Sequence, residues 1–68
     1  MELLSVVALL EDVPSKGLVR GQVGTVVDIL DEAHLEVEFI DSKGHTYGLT
    51  TLEARQLMPL IHASAKAA

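Results

Sequence analysis

Leu35-Glu36-Val37-Glu38-Phe39 is the stretch whose reading decides the fold. Apolar and acidic residues alternate strictly through it. Successive side chains of a strand point to opposite faces, so Leu35, Val37 and Phe39 face a core and Glu36 and Glu38 face water. Toward the N-terminus, Asp31-Glu32-Ala33 interrupts the pattern. Before it, Val23-Gly24-Thr25-Val26-Val27-Asp28-Ile29-Leu30 is rich in β-branched residues and reads as a second strand. Two strands around so short a turn form an antiparallel hairpin. The alternation predicts Asp28 opposite Glu36, Val27 opposite Val37, Val26 opposite Glu38 and Thr25 opposite Phe39. That register puts Val26, Asp28 and Leu30 on the outward face. A slip by one residue would turn the glutamates into the core, at a cost of several kcal/mol.

The rest of the chain extends this hairpin at both ends. Asp41-Ser42-Lys43-Gly44 is a turn, and His45 to Thr51, rich in threonine with Tyr47, is a further strand. Leu52-Glu53-Ala54-Arg55-Gln56 loses β-character and predicts one helical or 3-10 turn. Leu57-Met58-Pro59-Leu60-Ile61 is a last short strand that is an edge, or ends, at Pro59, because proline has no N–H for a ladder. Upstream, Ser5 to Leu10 reads as a buried strand. Glu11 to Gly21, punctuated by Pro14, Gly17 and Gly21, reads as a long loop with several bends. The expectation is five antiparallel strands near 4–10, 22–30, 35–41, 45–51 and 57–61. A long first loop and a helical turn before the last strand make this the layout of an all-β, SH3-like barrel over residues 1–61. Residues 62–68 lack an apolar anchor and read as a flexible tail.

The composition narrows the function classes. The chain has 68 residues and no cysteine, so neither a disulfide nor a thiolate metal site is available. Apolar residues number 33, and setting aside seven alanines leaves 26 large ones, more than so small a barrel encloses. Exposed apolar positions are expected at Val26 and Leu30, and at Leu3 and Ile61 near the termini. Ten acidic against five basic side chains give a formal net charge of −5. Lys16, Arg20, Lys43, Arg55 and Lys66 form no basic stripe, which argues against nucleic acid. The first residues lack the basic region and cleavage site of a secretory signal, and their apolar run is too short to span a bilayer. A cytoplasmic protein with no membrane association is expected.

Lys16-Gly17-Leu18-Val19-Arg20-Gly21-Gln22-Val23-Gly24-Thr25-Val26-Val27 resembles the glycine-spaced entry to the second strand of SH3-like domains. A similar Arg-Gly-x-x-Gly-Thr-Val run occurs in the SH3-like domain of nitrile hydratase β-subunits. Gly21, Gly24 and Val26 also match the Gly-x-x-Gly-x-Val of the KOW motif. Physically, Gly21 lets the chain turn into the strand, and Gly24 permits a bulge or close backbone approach. Together with Val6 to Asp12, Glu36 to Phe39 and Thr51-Leu52, the run resembles a family of small bacterial proteins known as domain of unknown function 4926. That resemblance implies a bacterial, stand-alone protein encoded near other small proteins, and it brings no catalytic residues. Relatives often carry glycine where this chain has Ala33.

No constellation points to catalysis. Ser5, Ser15, Ser42 and Ser64 lie in no sharp-turn nucleophile motif and beside no histidine. His34, His45 and His62 lack metal-ligand spacing and read as surface residues. Gly21-x-x-Gly24 precedes a strand, so no helix N-terminus is there to receive a phosphate. No cofactor or small-molecule substrate is indicated. Only Phe39 and Tyr47 are aromatic, too few for a proline-peptide groove or a base-stacking platform. Val26, Asp28, Leu30, Glu36 and Glu38 remain as candidate partner-binding residues, with Gly17, Gly21 and Gly24 structural. The expected function is a non-catalytic protein-interaction module, self-associating or binding a companion, an antitoxin- or immunity-like protein being one version. The alternative is a KOW-like RNA- or ribosome-associated domain.

Overall fold

The computed structural model describes residues 1–40, 43 and 46–61, with Thr46 and Tyr47 as backbone. Five strands follow in order: β1 (Val6–Leu9), β2 (Val23–Ile29), β3 (His34–Ile40), β4 (Thr46–Glu53) and β5 (Leu57–Pro59). They form one antiparallel sheet in the order β4-β3-β2-β1-β5. This is the five-stranded SH3-like barrel expected from the sequence, including a 3-10 turn at Ala54–Gln56 before the last strand. β5 is an edge strand, and it ends at Pro59. The expected Asp41–Gly44 turn, His45, His62 and the tail 62–68 lie outside the described residues, apart from Lys43.

Alternation builds the core as expected on β3, where Leu35, Val37 and Phe39 are buried. Val7 and Leu9 of β1, Val26, Leu52 and Leu57 join them, with Leu18 from the long loop. That loop is more ordered than its glycines and proline suggest. Pro14–Lys16 forms a 3-10 turn, Gly17 closes it at φ 69°, and Val13 bridges Leu18. Asp12 Oδ1 accepts from the Arg20 N–H at 2.8 Å. These contacts fold the loop back so that Leu18 plugs the core. Gly21 then takes φ 93° where the chain enters β2.

The β2–β3 register corrects the expected one. Asp28 does lie opposite Glu36, but Val26 pairs with Val37, Thr25 with Glu38 and Gly24 with Phe39. The shift falls between Val26 and Asp28, so Val27 is the extra residue of a β-bulge. A bulge resets which side chains face inward. Val26 is therefore not an outward residue: it is 0% exposed, in the centre of the core. Gly24 is the point of close approach. A Cβ there would meet Val37 Cγ1 at 2.7 Å, the Glu38 carbonyl oxygen at 2.9 Å and Phe39 Cδ1 at 2.9 Å.

The first hairpin turn dispenses with glycine. Asp31 Oδ1 accepts from the Ala33 N–H at 2.7 Å and the His34 N–H at 2.8 Å, the side-chain mimicry of a turn that aspartate favours. Positive φ among non-glycine residues is confined to Leu4 within the described chain. Ala33 therefore sits in a conformation that alanine adopts readily.

Candidate docking face

The register ranks the outward side chains in rows that cross the sheet. At one end, Met58 of β5 lies beside Ala8 of β1, and Ala8 beside Val23 of β2. Carried one residue past the Gly24–Phe39 pair, the register adds Ile40 of β3. Met58, Val23 and Ile40 are 47%, 50% and 46% exposed, a row of apolar groups across four strands. The next row is mixed: Val6, Thr25, Glu38 and Leu49. The third is polar and acidic: Asp28, Glu36 and Thr51. Leu30 continues the outward side beyond it and is 50% exposed.

Four of the five expected docking residues thus share one face: Asp28, Leu30, Glu36 and Glu38. Val26 does not belong to it, being on the other side of the sheet. The sequence reading also missed Val23, Ile40 and Met58. The apolar row is made of one residue from each of several strands, so no local run announces it.

Asp28 and Glu36 stand directly opposite each other. Like charges in that position destabilise a sheet. Part of the strain is relieved locally: Asp28 Oδ1 accepts from the Ile29 N–H at 2.9 Å, and Glu36 Oε1 accepts from the Thr51 hydroxyl at 3.2 Å. Beside the face, His34 Nδ1 lies 2.9 Å from Asp31 Oδ1. The His34 hydrogen bond, with those from the Ala33 and His34 N–H groups, holds the Asp31 carboxyl below the usual aspartate range. The Asp31-x-x-His34 spacing is the sequence signal for this pair, and the expectation that no histidine stands in a close carboxylate pair is corrected by it. Among the described residues no three His, Asp or Glu side chains gather as a metal would require, and no cavity opens. No described helix is long and apolar enough to cross a membrane.

The family pattern of Domain of unknown function (DUF4926) matches residues 3–59. The chain belongs to that family. No curated protein and no solved structure matches it. The match takes in every strand of the barrel and all the rows of this face, so the DUF4926 domain is the barrel itself.

Proposed function

We propose that this DUF4926 barrel is a non-catalytic protein-interaction module, working in the cytoplasm, which docks a basic, amphipathic polypeptide on the outward face of its sheet. The observation that carries the reading is the grading of that face from the apolar row Met58, Ala8, Val23, Ile40 to the acidic row Asp28, Glu36. Nine described apolar side chains are buried, while thirteen large ones are exposed, which is the surplus a docking surface supplies. Single exposed apolars are ordinary on a protein surface, but a row of them graded through a mixed row into opposed carboxylates is not explained that way. The opposed carboxylates cost stability in the free domain and recover it against a cation. A companion whose basic surface is masked by this protein, as a toxin by its antitoxin, has the required chemistry.

The test is titration with designed amphipathic peptides carrying lysine on one face and leucine on the other. Binding should weaken as salt rises. It should fall at least about tenfold in the double variant Asp28→Asn, Glu36→Gln, and again in Val23→Lys. Binding of RNA oligonucleotides with no binding of any basic peptide would overturn the reading in favour of a KOW-like role.

A further inference from the structure

The two edges of the sheet differ in what they offer. An antiparallel edge strand leaves every second residue with its N–H and C=O pointing away from the sheet. On β5 the bonds to β1 involve Leu60, whose N–H donates to the Val6 carbonyl at 2.8 Å, and Gln56, whose carbonyl accepts from the Leu10 N–H at 2.9 Å. The backbone groups of Leu57 and Pro59 therefore point away from β1. The Leu57 N–H is taken by the Ala54 carbonyl, and Pro59 has no N–H. The β5 edge offers no donor.

On β4 the bond from the Ala54 N–H to the Ala33 carbonyl, 2.7 Å, sets the parity. Residues 48, 50 and 52 bond toward β3, while Leu49, Thr51 and Glu53 point their backbone groups outward. Glu53 gives its N–H to Gln56 Oε1 at 2.9 Å, and the Thr51 carbonyl accepts from Lys16 Nζ at 3.2 Å. The Leu49 N–H and carbonyl and the Thr51 N–H bond to no described residue. The stretch Thr46-Tyr47-Gly48-Leu49-Thr50-Thr51-Leu52 also lacks charge and proline, two of the means of blunting an edge, and its bulge at Tyr47 leaves residues 48–52 regular.

We infer that β4 pairs antiparallel with β4 of a second copy of this chain, about a two-fold axis at Leu49. An isologous contact places a surface against itself, and in a chain of net charge −5 the uncharged residues 46–52 of β4, with Glu53 four residues from the axis, are where self-contact opposes no like charges. In that pairing the Glu38 carboxylates of the two copies lie three strand spacings apart, about 14 Å, beyond the ~8–10 Å over which charges act at physiological salt. Leu49, 58% exposed in the single chain, packs beside its counterpart. Its N–H and carbonyl exchange bonds with the Leu49 of the second copy. Lys16 keeps its bond, because a carbonyl oxygen has two lone pairs. The pairing uses the backbone edge of β4; because the Leu49 and Thr51 side chains also stand in the rows of the graded face, assembly is read by sedimentation and docking by peptide titration of the Val23→Lys variant.

Sedimentation equilibrium of the full chain at micromolar concentrations should show a dimer. In a sample mixing isotope-labelled and unlabelled copies, the Gly48 and Thr50 Hα protons should show a contact between copies. Leu49→Lys puts two like charges at the axis and should weaken the dimer at least about tenfold, with the amide spectrum of the barrel retained. Thr51→Pro removes an outward donor and the hydroxyl bond to Glu36 while sparing the backbone bonds to β3, and should act likewise; if it fails to fold, Leu49→Lys decides. A monomer throughout would overturn the inference. So would a dimer that survives Leu49→Lys, or one abolished by Val23→Lys alone.

Discussion

Phe39 sits between two glycines, Gly24 on β2 and Gly48 on β4, and the two are not equivalent. At Gly24 an added methyl would collide with the Glu38 backbone oxygen as well as with Val37 and Phe39, whereas at Gly48 it meets only Phe39 Cβ at 4.0 Å. Gly24→Ala is expected to cost about 1–3 kcal/mol in urea unfolding, the range for overpacking a filled site. Gly48→Ala should be neutral, or stabilising by up to about 1 kcal/mol through the lost freedom of the unfolded glycine. Asp31 is the second residue with a measurable consequence. Its carboxyl is held low first by the His34 side chain. A carboxyl depressed in the folded state contributes stability above its unfolded value, lost as pH falls through the lower folded value. In a carbon-detected titration Asp31 should therefore ionise below the usual aspartate range, and His34→Ala should bring it back up. No movement in that variant would show the backbone N–H groups alone to be responsible.

Among the elements, β3 was legible residue by residue because it alternates. β2 was legible as a strand but not in its register. Val26-Val27 places two apolar residues in sequence, and a doubled valine reads equally as a bulge or as a strand apolar on both faces. The outward position of Leu30 survived the error because the pairing is as expected from Asp28 onward, whereas Val26 lies on the other side of the bulge. The long loop hid its core residue for a related reason. Leu18 stands beside an exposed Val19 among glycines and charged residues, and its burial depends on the Val13 bridge and the Asp12–Arg20 bond, neither of which a local pattern reveals. The graded face needed the register of all five strands and so was out of reach of any single segment. These assignments separate in one pair of variants. Leu30→Lys should leave the stability within about 0.5 kcal/mol. Val26→Lys, which buries an unpaired ammonium, should leave no folded barrel at room temperature. If circular dichroism showed the Val26→Lys barrel intact, the bulge would be misplaced.

At the scale of the molecule, the nine buried apolar side chains among the described residues are a small core, and a domain of this size gains little margin from burial alone. Association that selects the folded chain adds to that margin by mass action. The melting temperature should therefore rise with protein concentration in the wild type and stay flat in Leu49→Lys. Salt should act in opposite directions on the two contacts. It screens the repulsion between copies that each carry −5 and screens the attraction for a basic partner. Val27 has a different kind of importance, as a spare position in the length of the chain. Removing it joins Val26 directly to Asp28, and Gly24, Val26 and Ile29 keep their inward side while Thr25 and Asp28 keep their outward one. Removing Glu36 from β3 instead, a strand with no spare residue against β2, would set Leu35 and Val37 on opposite sides and turn half of β3 inside out. The barrel should therefore fold, flatter at that corner, without Val27 and fail without Glu36, a comparison that two amide spectra settle. Single-residue gains and losses among related chains are expected to gather at this corner, where β2 tolerates an error in counting.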